Sequence, residues 1–184
     1  MKRTLPAVLT LAVLAVAAQA QDLDRARPLV TQHVSVGPIE AITITPGKTS
    51  IVEMPFRVDK GFHINSNKPN SEVLIPTVVK MSPPTDIGVG LMAYPEGRDL
   101  SFPFAPTEKL NVYTGDFLVS ARVSAAKTTP PGTYRVRGAL QYQACDDRAC
   151  YPPTQVPLMF DVHITKVVKK SSRKNPAQSP HVHQ

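Results

Sequence analysis

The chain has 184 residues, a formal net charge of +7, nineteen prolines and two cysteines. Setting aside Lys2, Arg3 and the five basic side chains from Lys166 onward leaves 14 basic against 14 acidic residues, so the body is neutral. It therefore lacks the basic face that a phosphate backbone demands, which argues against a nucleic-acid partner, and so many prolines argue against long helices, because each removes a backbone donor and restricts the residue before it.

The first twenty residues read as a secretory leader. Lys2 and Arg3 form a basic start, Leu5 to Ala18 an apolar stretch too short to span a bilayer, and Ala18-Gln19-Ala20 a small-residue cleavage site. Cleavage is expected after Ala20. No cysteine follows the apolar run and no later segment reaches eighteen apolar residues, so neither a lipid anchor nor a membrane span is indicated. The expected location is periplasmic or otherwise secreted, where disulfides persist. Residues 21–38 read as an N-terminal extension.

From Ile39 to Thr165 the chain is long enough for one domain with its own core. Period-two alternation predicts four strands with one buried face each: Val52, Met54, Phe56 and Val58 in the first, then Phe117, Val119, Ala121 and Val123. Tyr134, Val136, Leu140 and Tyr142 mark the third, and Val156, Leu158, Phe160, Val162 and Ile164 the fourth. Weaker strands are expected near Ile39 to Thr45, Leu74 to Met81 and Ile87 to Tyr94. Pro46-Gly47, Pro83-Pro84, Pro95-Glu96-Gly97 and Pro130-Pro131-Gly132 supply turn chemistry between the runs. Many short strands with frequent turns predict a single all-β sandwich.

Cys145 and Cys150 lie in Tyr142 to Pro153, YQACDDRACYPP, after the third of these strands. If that strand continues to Cys145, parity puts the thiol with Arg135, Arg137, Gln141 and Gln143 on the polar face, away from the core. A buried inter-sheet disulfide is thereby disfavoured, and the pair instead closes a short loop at a strand end. The chain-entropy model assigns such a loop of about six residues roughly 2 kcal/mol, useful but dispensable. Two readings stand at this point. The pair is a structural staple in a non-catalytic exported binding module, or it is a redox centre, which needs a thiolate and an accessible sulfur. Arg148 favours a thiolate, whereas Asp146 and Asp147 oppose it.

Neighbouring residues carry paired readings too. His63 is either a support for a thiolate or a loop histidine with a structural hydrogen bond. Tyr142 and Tyr151 flank the thiols as shields or as packing, and Asp146 serves proton transfer or turn formation. Two cysteines with His63 lack the paired spacings of a zinc site, and His181 and His183 lie near the C-terminus, so no metal or cofactor is expected. Lys166 to Gln184 reads as a disordered basic tail, either simply solvated or resting near anionic surfaces.

The segment YQACDDRACYPP between two strands resembles the active-site hairpin of the N-terminal periplasmic domain of DsbD, the thiol:disulfide interchange protein. Gly61 to Pro69, GFHINSNKP, followed by Leu74 to Thr77, LIPT, is similar to the same family, as is Tyr113-Thr114-Gly115 ahead of the strand from Phe117. The resemblance implies an immunoglobulin-like β-sandwich acting as a thiol-disulfide oxidoreductase, its cysteine pair exchanging electrons with thioredoxin-fold periplasmic proteins as donor and acceptor. It further implies that Cys150 is the partner-facing nucleophile and Cys145 the resolving thiol. A cap loop shielding the sulfurs is expected within Tyr94 to Pro106, with Phe102 and Phe104 as its apolar cover. The membrane electron-transfer domain and the terminal thioredoxin domain of DsbD have no counterpart in this sequence, so another protein is expected to reduce the pair or be reduced by it.

Overall fold

A computed structural model of the chain describes residues 31–166, so the leader, residues 21–30 of the extension and residues 167–184 of the tail lie outside the described residues. Alternating apolar side chains and proline-rich turns resolve into twelve strands with no helix among the described residues. In chain order these are β1 (Val34–Val36), β2 (Ile42–Ile44), β3 (Thr49–Val58), β4 (His63–Asn65), β5 (Val78–Ser82) and β6 (Ile87–Ala93). The second half adds β7 (Arg98–Phe102), β8 (Ala105–Tyr113), β9 (Asp116–Ala125), β10 (Gly132–Tyr142), β11 (Ala144–Cys145) and β12 (Thr154–Ile164).

Three four-stranded sheets result, ordered β1-β3-β9-β6, β2-β12-β10-β5 and β11-β4-β8-β7. The strongest alternation builds the first two. Val52, Met54, Phe56 and Val58 of β3 and Val119, Ala121 and Val123 of β9 share one apolar cluster with Val136 and Leu140 of β10 and Val156, Leu158, Phe160 and Val162 of β12. Two sheets, antiparallel except for the parallel β2–β12 pair, close on a common core and make an immunoglobulin-like sandwich. Burial of whole Val, Leu and Phe side chains at about 1.5–3 kcal/mol each supplies the dominant favourable term.

The turns fall where proline and glycine place them. Gly47 and Gly115 adopt left-handed backbone angles, φ +78° and +60°, in the β2–β3 and β8–β9 connections. Two features depart from the sequence reading. β1 lies ahead of Ile39, within the stretch read as an extension, and is hydrogen-bonded along β3 from Val34↔Val58 to Val36↔Phe56. The expected cap loop is a β-hairpin: β7 pairs with β8, and Phe102↔Ala105 closes its tip. Gly97 permits this hairpin to sit close, since a Cβ there would lie 2.0 Å from Asn111 Oδ1 and 2.8 Å from Ser66 Cβ.

Candidate functional site

β10 and β12 pair over eleven rungs, from Gly132↔Ile164 to Tyr142↔Thr154. The connection beyond the last rung carries both cysteines. Past Gln143 the chain leaves the second sheet, and Ala144 and Cys145 pair with Ile64 and His63 of β4 in the third. This change of sheet overturns the expectation that Cys145 follows the polar parity of β10. Alternation holds only while a strand stays in one ladder, and after the switch Cys145 is 0% exposed. Cys150, five residues on, is exposed. The two are joined as a disulfide with their Cα atoms 3.9 Å apart.

The loop between them is organised by one carboxylate. Asp146 Oδ1 accepts the backbone N–H groups of Arg148 (2.8 Å) and Ala149 (2.9 Å), while Oδ2 accepts the Tyr151 hydroxyl at 2.8 Å. This is the Asx-type turn that an aspartate two and three residues ahead of free amides favours. The Asp146 N–H donates to the Ala149 carbonyl, the Tyr151 N–H to the Ala144 carbonyl, and Gln143 Nε2 to the Tyr151 carbonyl. Donation from Ala149, then Arg148 and Tyr151, holds the Asp146 carboxyl below the usual carboxylate value. The same bond pushes the Tyr151 hydroxyl up.

Because its folded pKa is depressed, Asp146 favours the ordered loop above the ordinary carboxylate range, and that contribution is lost as pH falls through the depressed value. The Arg148 and Ala149 amide resonances are therefore expected to move on acidification about a midpoint below the ordinary value of 3.8. Asp146→Asn should remove that titration. A two-dimensional amide spectrum followed through acid pH reads both outcomes, and movement centred above 3.8 would contradict the assignment.

Aromatic side chains flank the hairpin. His63, which sequence placed in a loop, is on β4, directly opposite Cys145 and 2% exposed. Phe102, at the tip of the β7–β8 hairpin, stacks on its imidazole with ring centroids 3.7 Å apart, and Phe104 lies parallel at 6.1 Å. Burial lowers the His63 pKa, with Asp147 and Asp146 opposing. A second stack escaped the sequence reading. His33 packs on Phe62 at 3.6 Å, and Tyr151 is tilted against both at 5.5 and 5.9 Å. Phe62 and His63 are consecutive, so the alternation of extended chain sends them to opposite sides. Tyr142, buried at the last rung of β10, accepts the His33 N–H at 3.3 Å.

The segment GFHINSNKP, with Asn70 just after it, holds the β7–β8 hairpin. The Ser66 N–H donates to the Asn111 carbonyl, Tyr113 Oη donates to Asn67 Oδ1 at 2.6 Å, and Asn70 Nδ2 reaches the Lys109 carbonyl at 2.9 Å. Asp99 Oδ1 accepts from both Asn70 and Asn111. The β7–β8 hairpin is thus tied by polar bonds to the segment that follows β4, and to β4 itself by its ladder.

No curated protein matches this sequence. Among solved structures, the reduced DsbD N-terminal domain of Neisseria meningitidis is similar at 21% identity, covering 61% of this chain and 77% of that one with a TM-score of 0.42. A complex between the DsbD N-terminal and PilB N-terminal domains of the same organism matches at 24% identity over 60% and 73% of the two chains, TM-score 0.38. The family model for the N-terminal domain of the thiol:disulfide interchange protein DsbD matches residues 32–160, a span that contains the GFHINSNKP segment, the β7–β8 hairpin and both cysteines. The chain belongs to that DsbD N-terminal domain family.

Proposed function

We propose that this domain is an exported thiol-disulfide exchange module, an electron relay or reductase, that cycles Cys145 and Cys150 against thioredoxin-fold partners. The observation that carries the reading is an asymmetric cysteine pair, one residue exposed and one wholly buried, in a member of a thiol:disulfide interchange family. Exchange proceeds by a thiolate attacking one sulfur of a disulfide and is governed by which sulfur it reaches. Only Cys150 offers itself. A partner thiolate attacks Cys150 Sγ, the internal S–S bond breaks, and Cys145 departs with the electron pair. In the opposite direction a Cys150 thiolate attacks the partner's disulfide, and Cys145 then displaces the reduced partner by attacking Cys150.

The surrounding residues support that division. Phe102 stacks on His63, the residue opposite Cys145, with Phe104 parallel beyond it, an apolar hairpin that on this reading keeps small oxidants and adventitious thiols from the buried sulfur. Asp146 and Tyr151 fix the backbone on which Cys150 is presented. The working unit spans Ile39 to Thr165 with β1 added at its start, and a cleaved leader delivers it to the periplasm or beyond.

The test is the reduction potential of the pair, measured by equilibration with defined thiol buffers. A redox centre is expected well above about −300 mV, the region below which structural disulfides of secreted proteins typically lie. A potential below that level would return the pair to the role of staple.

A further inference from the structure

Among the described residues, two buried side-chain atoms have no hydrogen-bond partner, His63 Nε2 and Asn65 Oδ1. Asn65 has an evident structural role, because its Nδ2 donates to the Ile75 carbonyl at 2.9 Å. For His63 Nε2 the fold supplies nothing. A buried polar atom left unmatched is costly, and it calls for a state of the protein in which its partner appears.

The register identifies that partner. His63 and Cys145 are directly opposed across the β4–β11 pair, an arrangement that brings side chains to the same face with Cβ atoms about 4.5–5.5 Å apart. Both are closed off from water, at 2% and 0% exposure. Phe102 seals one face of the imidazole at 3.7 Å. Locked in a disulfide, Cys145 has no proton to offer. Opening the disulfide creates a thiol, the missing donor, on the residue directly opposite His63.

We propose that His63 is the proton partner of Cys145: its Nε2 waits unpaired in the oxidised protein and accepts the Cys145 S–H once the disulfide opens. This role presupposes the redox reading of the pair. In the closing direction Cys145 gives its proton to His63 Nε2, and the resulting thiolate attacks Cys150 Sγ. The Cys145–Cys150 bond forms, the bond from Cys150 to the partner breaks, and the partner leaves as a thiolate carrying the electron pair. The imidazolium then releases its proton to solvent, leaving Nε2 unpaired; in the opening direction the partner thiolate attacks Cys150, Cys145 leaves as a thiolate, and a proton taken up from solvent through His63 reaches its sulfur. No other oxidant or reductant enters. The charged groups facing the imidazole from the cysteine hairpin are Asp146 and Asp147, which favour the transient imidazolium against burial, while the hairpin of Phe102 and Phe104 presents apolar rings.

Three measurements on the full mature chain test this. In the unmodified protein, the ring nitrogen resonances of His63 are expected to move when dithiothreitol opens the disulfide, with Nε2 changing from an unbonded to a hydrogen-bonded acceptor. His63→Phe, which preserves the stack on Phe102, is expected to shift the glutathione equilibrium toward the disulfide by about fivefold, the value of one ordinary hydrogen bond. It should also move the pH midpoint of ring closure up toward the ordinary thiol value of about 8.5. His63→Gln should restore the equilibrium but not the pH profile. A pair that dithiothreitol leaves closed overturns this role and the redox reading together. A pair that opens with the His63 nitrogens unmoved, or a folded His63→Phe with the parent's equilibrium and pH profile, overturns this role alone.

Discussion

Cys145→Ser is expected to accumulate a covalent adduct with a thioredoxin-fold partner in the exported fraction, and Cys150→Ser to accumulate little or none. The difference follows from where the two residues sit. With Cys145 replaced, the exposed Cys150 still attacks a partner disulfide, but the thiol that would release the adduct is gone. With Cys150 replaced, the remaining thiol lies on β11 against β4 at 0% exposure and has no path to a partner's sulfur. Access and thiolate fraction together govern such reactions, and a contrast of at least about tenfold between the variants is expected. A non-reducing gel of the exported proteins reads it directly. A staple would behave otherwise, with neither variant trapping a specific protein and both losing about 2 kcal/mol of stability. Equal adducts from the two variants would refute the division of labour.

The largest stability loss near the site is expected from Tyr142→Ala, at about 3–5 kcal/mol, the range for removing a large buried ring. Tyr142 is 1% exposed and occupies the last rung of the longest ladder, opposite Thr154, where the cysteine connection begins. Its hydroxyl also accepts the His33 N–H just ahead of β1. Tyr142→Phe separates the two contributions, since it keeps the ring and loses a hydrogen bond worth about 1 kcal/mol. Urea unfolding of the three proteins gives both differences. A Tyr142→Ala variant within about 1 kcal/mol of the parent would mean that the cavity collapses freely and that the ring does not anchor the hairpin.

Strands that keep one face in the main core announce themselves in the sequence. β3, β9, β10 and β12 do so because their buried residues all fall on one parity along strands of ten or eleven residues. β4 is silent for the opposite reason: all three of its residues are buried, so His-Ile-Asn shows no period. β7 and the first part of β8 are exposed almost throughout, as befits a hairpin laid over another sheet. Proline and glycine marked the turns correctly because their backbone limits are local and need no tertiary context.

The site divides along the same line. Proximity in sequence made the cysteine pair visible, and the short spacing alone was enough to place it in one loop. The burial of Cys145 was not visible, because it depends on a sheet change at Gln143 that no local pattern encodes. Nor was the pairing of His63 with Cys145, which joins residues 82 positions apart through β4 and β11. His33 and Phe62 carried one usable signal, an aromatic next to a histidine inside a segment shared with the family, but their stacking belongs to the third dimension.

The loop that the disulfide closes is also closed without it. Asp146 gathers two amides and a hydroxyl, and the Tyr151 N–H to Ala144 carbonyl bond spans both cysteines, all upon an eleven-rung ladder that involves no sulfur. These bonds hold the folded loop whether or not the sulfurs are joined, whereas the cross-link acts mainly by restricting the unfolded chain. Cutting it is therefore expected to leave the backbone close to its place. If the pair cycles as proposed, the oxidised and reduced molecules are expected to offer an incoming protein nearly the same contour, so that one docking geometry would serve both halves of the exchange.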